Sequence, residues 1–168
     1  MQLREWSVGL GRLLLPLDYP AQAVYGTVIT GAVMAAYSDP PVALDDVLIN
    51  VPATVVIYWL AHVYAEELVR AEQGIAFSAR RLRATLRTQW PIIQSAMGPV
   101  LVLLLALLCG ATATVAVEIA VWFAVLLLGC FGAVGARRGG LRGRPVIVSA
   151  ALAGFLGLIV VALKASVD

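Results

Sequence analysis

Charge is scarce in this chain. Of 168 residues only 13% are Asp, Glu, Lys or Arg, 61% are hydrophobic, and mean hydropathy is +0.92. A soluble domain carries roughly 25% charged and about 45–50% apolar residues, so a water-soluble globule is excluded. Soft ligands are scarce as well: one histidine, His62, and two cysteines, Cys109 and Cys130. They lack metal-site spacing, and a metal usually takes about three or four protein ligands. No metal and no other cofactor is expected. The cysteines sit in different apolar runs and read as buried free thiols. There is no HExxH, no Ser/His/Asp set and no pair of acids inside an apolar run, so the chain does not read as an enzyme. Ser95, beside Gln94, is the one suggestive serine in a span and reads as polar packing. Lysine is nearly missing, with Lys164 the single lysine among twelve basic residues. That bias, with abundant Ala, Val and Gly, points to a GC-rich bacterial genome. The first eighteen residues hold Arg4, Glu5, Arg12 and Asp18. No short basic region leads straight into an apolar core, and no cleavable signal peptide is expected.

Long uncharged runs are what the chain does have. About 20 apolar residues span the hydrocarbon core of a bilayer. In lipid the backbone must satisfy its own hydrogen bonds, which leaves helices or closed barrels. The runs are continuous rather than alternating, against a barrel. The fold class is therefore all-α, a polytopic membrane protein in a single domain. Five transmembrane helices are predicted, at about residues 19–37, 47–66, 91–110, 115–135 and 146–163. "SDPPVALDD", with two prolines, separates the first two, and "GATAT" makes a tight turn after the third. Pro91 is suited to a first helical turn.

Arginine fixes the expected orientation. Arg4 and Arg12 precede the first span. Arg70, Arg80, Arg81, Arg83 and Arg87 lie between the second and third. Arg137, Arg138, Arg142 and Arg144 lie between the fourth and fifth. With five spans all eleven fall on one side, which the positive-inside rule makes cytoplasmic. The N-terminus is then cytoplasmic and the C-terminus outside, in a cell membrane read as a bacterial inner membrane. Asp39, Asp45, Asp46, Glu118, Lys164 and Asp168 fall outside.

Two segments read as interfacial amphipathic helices. Residues 1–18 mix Trp6, Leu10 and Leu13–Leu15 with Arg4 and Arg12. Residues 67–90 set Phe77, Leu82, Leu86 and Trp90 among arginines. Arg80, Arg81, Arg83, Arg87, Arg137 and Arg138 are candidate contacts to anionic lipid headgroups, each worth roughly 1 kcal/mol at a charged leaflet. The bland alternative makes them ordinary topology determinants. No nucleic-acid partner is expected, since no soluble domain accompanies them.

Small residues mark packing faces, because in lipid they permit close backbone approach. Ala23, Thr27, Gly31 and Ala35 recur every fourth residue in the first span. Ser149, Ala153 and Gly157 do so in the fifth, with Ala150 and Gly154 beside them. Gly129, Gly132 and Gly135 end the fourth and imply close packing or a flexible helix end. Pro99, after Gly98, is expected to bend the third span. "VLVLLLALL" is expected to face the bilayer.

The second span is the unusual one. Asn50, Thr54, Tyr58, His62, Glu66 and Arg70 recur every fourth residue. Residues at i and i+4 share a helix face, although at 3.6 residues per turn the stripe drifts about 40° per step. Charges near a bilayer centre usually face protein or water, and imidazole exchanges protons near neutrality. The stripe thus has the chemistry of a proton or cation pathway lined by Asn50, Thr54, Tyr58, His62 and Glu66, with Asp45 and Asp46 at the outer mouth. Five short helices leave little material for an internal path, so a homo-oligomeric channel is expected. The alternative is a membrane scaffold or accessory subunit, in which those side chains merely bond to neighbouring helices.

Overall fold

Prolines and glycines set most of the helix boundaries. In the computed structural model, which describes residues 19–39 and 41–165, every regular element is a helix. The order is α1 (Pro20–Ala36), α2 (Leu44–Glu72), α3 (Ala79–Thr88), α4 (Pro91–Leu108), α5 (Ala113–Arg138) and α6 (Arg144–Ala165). The amphipathic helix expected over residues 1–18 lies outside the described residues. Pro20 and Pro91 each occupy a first turn, where a missing N–H costs nothing. Gly74 and Gly110 end α2 and α4 with φ of +76° and +89°. Each is followed by a residue whose N–H reaches back to close the helix: Ile75 to the Arg70 carbonyl and Ala111 to the Ala106 carbonyl, both at 3.0 Å. This is the glycine stop that a left-handed backbone allows.

Among the described residues four stretches are long and apolar enough to cross a membrane: α2, α3 taken with α4, α5 and α6. At 17 residues, α1 is roughly 25 Å long at 1.5 Å per residue, just under the hydrocarbon thickness. The second helix extends past both ends of the predicted 47–66. Asp45 and Asp46 complement the positive end of its backbone dipole. Glu66 and Glu67 pair with Arg70 one turn on, which carries the helix to Glu72. Trp90, at φ −55° and ψ −32°, makes α3 nearly continuous with α4.

The long helices run alternately up and down. Gly26 of α1 lies against Ile92 and Ser95 of α4, Gly135 of α5 against Pro20, and Gly132 of α5 against Ser149 of α6. Tyr25 stacks near His62 of α2. These contacts gather the starts of α1, α4 and α6 with the ends of α2 and α5 at one end of the bundle. The arginine-bearing segments 70–87 and 137–144 therefore share that end. At the other end Met34, Val47, Val51, Leu103 and Val117 form the main core.

The 17-residue helix α1 sits in the middle. Ala23, Gly26, Thr27, Thr30, Gly31, Met34 and Ala35 are all buried, and α1 packs against α2, α4, α5 and α6. Its hydroxyls are satisfied inside the helix: Thr27 donates to the Ala23 carbonyl at 2.8 Å and Thr30 to that of Gly26 at 2.7 Å. A Cβ on Gly26 would lie 2.1 Å from the Ile92 carbonyl oxygen, and one on Gly132 would lie 2.6 Å from that of Ser149. The Ser149 hydroxyl donates to the Gly132 carbonyl at 2.9 Å. The small-residue faces of both spans thus meet neighbouring backbones, as expected of packing without a hydrophobic force.

Two expectations need correction. Cys109 and Cys130 are free thiols, but they are exposed on the outside of the bundle. A surface meant for lipid accepts a small apolar thiol as readily as a core does. In the "VLVLLLALL" run Leu104, Leu105 and Leu108 are exposed, yet Leu103 is fully buried, because its side faces α1 and α5.

Candidate functional site

The outer flank of α2 has three columns. Val47, Val51, Val55 and Val63 are buried against the bundle. Ile49, Val56, Ile57, Leu60 and Tyr64 are exposed. Between them runs the predicted polar stripe, with Asn50, Thr54, Tyr58, His62, Glu66 and Arg70 all half-buried. It follows the seam between the packed face and the outward face, on the periphery of the single chain. Asp45 and Asp46 are exposed in the first turn, at the opposite end from the arginines.

The stripe divides into two chemically different parts. Asn50, Thr54, Tyr58 and His62 form no side-chain hydrogen bond among the described residues. His62 has aromatic neighbours instead: its ring centroid is 5.3 Å from Tyr25 and 5.8 Å from Tyr58, both tilted. Tyr25 comes from α1, so one aromatic contact joins two helices at the level of the imidazole.

Below His62 the charged groups Glu66, Glu67 and Arg70 are all bonded. Arg70 forks, one guanidinium nitrogen donating to Glu66 and the other to Glu67 at 2.5 Å and to the Thr85 hydroxyl at 2.8 Å. Thr85 donates to Glu67 at 2.7 Å. The Gln89 amide donates to the second Glu66 oxygen at 2.6 Å. Thr85 and Gln89 are 1% and 8% exposed, so they form the inner face of α3. These pairs run in opposite directions along the two helices, Gln89 beside Glu66 and Thr85 beside Arg70. The third link is an edge-on contact of Trp59 with Trp90, centroids 5.8 Å apart. Planar bidentate pairing makes arginine suited to this position. Two buried polar atoms at this end, Trp59 Nε1 and Gln89 Oε1, have no hydrogen-bond partner among the described residues.

Of the residues singled out in the sequence, the structure keeps Asn50, Thr54, Tyr58 and His62 on one seam. It ties Glu66 into the α2–α3 network. Tyr25, Thr85 and Gln89 were not singled out. Thr85 and Gln89 are four residues apart on the side of α3 facing away from Arg80, Arg83 and Arg87, and that spacing was the available signal. Tyr25 left none, since its partner His62 lies on another helix, 37 positions away. Of the candidate headgroup arginines, Arg80, Arg83, Arg87, Arg137 and Arg138 are exposed. Arg81 is half-buried and donates to the Ala76 carbonyl at 2.8 Å. Among the described residues no group of three His, Cys, Asp or Glu side chains could hold a metal.

No protein-family model, no curated protein and no solved structure matches this chain.

Proposed function

We propose that the chain is a five-span membrane protein of a bacterial inner membrane, arginine end cytoplasmic, that assembles with copies of itself into a conduit for protons or monovalent cations. The observation that carries this reading is the unpartnered polar seam. Asn50, Thr54, Tyr58 and His62 sit at bilayer depth, half-exposed and without hydrogen bonds among the described residues. A polar group left bare to hydrocarbon costs several kcal/mol, roughly, so water or another chain must cover this edge. Copies gathered around an axis supply both. Asp45 and Asp46 then raise the cation concentration at the outer mouth. The bonded carboxylate of Glu66 closes the inner end of the lining, and the exposed arginines meet anionic lipid. As the fifth span, α1 is the short central helix, with neighbouring helices covering Ala23, Thr27, Thr30, Gly31 and Ala35.

Purified protein in liposomes tests this reading. Proton or monovalent-cation flux is expected, and His62→Ala should change its dependence on pH. Tight vesicles with no flux under any gradient contradict it.

One observation favours the second reading, a scaffold or accessory subunit. The network of Glu66, Glu67, Arg70, Thr85 and Gln89 bonds both carboxylates at the inner end, as a structural joint would. In that case replacing Tyr58 and His62 with apolar residues leaves cellular function intact and abolishes no flux.

A further inference from the structure

No Asp or Glu occurs between Glu118 and Asp168, yet this stretch holds Arg137, Arg138, Arg142 and Arg144. All four lie at the reversal from α5 into α6. The described carboxylates at this end of the bundle, Glu66, Glu67 and Glu72, belong to α2, which packs on α1, α3 and α4. Arg70 takes Glu66 and Glu67. The guanidinium groups of Arg137 and Arg142 have no ion pair and no hydrogen bond among the described residues.

The turn brings these two cations together. Gly140 and Gly143 take φ of +82° and +68°, a left-handed backbone that glycine adopts without strain. The Leu141 N–H closes α5 on the Ala136 carbonyl at 3.0 Å, and the Val146 N–H closes the first turn of α6 on the Gly143 carbonyl at 3.1 Å. The chain between them curls around an open pocket of about 540 Å³, lined by Arg137, Leu141, Arg142, Gly143, Val146 and Ile147. The lining includes both arginines and no acid. Guanidinium groups that share one concave surface repel each other unless an anion lies between them. One wall is the start of α6, a 22-residue helix whose backbone dipole is positive there. The amide N–H groups of Arg142, Gly143 and Arg144 donate to nothing among the described residues. Two planar forks beside free backbone donors suit a phosphate, whose tetrahedral oxygens accept from several directions at once.

We propose that the α5–α6 turn is a binding site for one phosphate group, held between Arg137 and Arg142 against the first turn of α6. Leu141 and Ile147 are exposed beside it and give the pocket an apolar rim. A lipid phosphate enters with its acyl chains along α6, and a free phosphate enters from water. The site goes beyond the conduit reading: a chain that passes no ions still binds phosphate here.

Native mass spectrometry of the full chain in detergent reads both sources. One arm titrates phosphatidylglycerol or phosphatidylcholine of the same acyl chains, and the other titrates inorganic phosphate alone. A lipid site gives one phosphatidylglycerol per chain, at a concentration about tenfold or more below phosphatidylcholine. A free-phosphate site gives one phosphate adduct per chain without that preference. Either signal should vanish in Arg137→Gln with Arg142→Gln, both exposed positions. It should weaken about tenfold in Gly143→Val, which keeps every charge but disfavours the left-handed turn. Absence of both signals overturns the proposal, as does a signal unchanged in the arginine pair. Wild-type binding by Gly143→Val overturns it too, because a diffuse attraction to basic residues ignores the shape of the turn.

Discussion

Two neighbouring parts of α2 carry polar groups in opposite ways. From Asn50 to His62 the side chains have no hydrogen-bond partner among the described residues. From Glu66 to Arg70 each group is bonded, and the bonds reach Thr85 and Gln89 of α3. The lower part is an internal joint that the single chain completes. In the proposed reading the upper part is completed by water or by a second copy. The difference teaches that a polar stripe on a membrane helix is not one object. Its structural and functional stretches are told apart by whether the protein already supplies the partners.

Stability measurements sharpen that contrast. The largest effect is expected from Arg70→Ala, which strips two carboxylates of their shared cation. Arg70 is 28% exposed, so the loss stays below the roughly 3–5 kcal/mol seen when a fully buried pair is broken. Unfolding in detergent should show a loss of about 2 kcal/mol. Arg70→Lys should recover only part, because one ammonium cannot fork between Glu66 and Glu67.

Thr85→Val keeps the volume and removes the hydroxyl that donates to Glu67 and accepts from Arg70. A loss of about 1–2 kcal/mol is expected, with α3 detaching first, seen as faster amide exchange over residues 79–88. Tyr25→Leu comes next, at about 1 kcal/mol for the lost ring contact with His62. Asn50→Leu and Thr54→Val should lie within about 0.5 kcal/mol for the isolated chain, since neither breaks a bond. The same two changes should alter self-association or flux. If they destabilise the monomer as much as Arg70→Ala does, the seam has internal partners and the contrast fails.

Much of the architecture was legible because long apolar runs mark the helices. Hydropathy located the longer helices, and the arginine-bearing segments 70–87 and 137–144 share one end of the bundle. Small residues at four-residue spacing picked out faces that do meet neighbouring helices, Gly31 against the Ala124 methyl and Gly157 against Val125 and Leu128. The position of α1 was not legible. A 17-residue helix became central through glycine contacts with α4 and α5, which depend on how helices cross and not on their own periodicity. The network at Glu66 was half legible. The three residues on α2 stood out, but their partners lie 15 to 23 positions away. Thr85 and Gln89 were hidden among arginines that dominate α3. The drift of the stripe held the rest of the clue: by Glu66 it has rotated toward α3.

The most direct test compares nitroxide labels at Thr54 and Ile57, side chains at nearly the same depth on α2, in protein reconstituted into bilayers with Cys109 and Cys130 replaced. The expected result is that the label at Thr54 is relaxed by a water-soluble paramagnetic complex, or shielded by a second copy, while the label at Ile57 is relaxed by oxygen dissolved in the acyl chains. Equal relaxation of both labels by oxygen alone would place the polar seam in lipid and contradict the conduit.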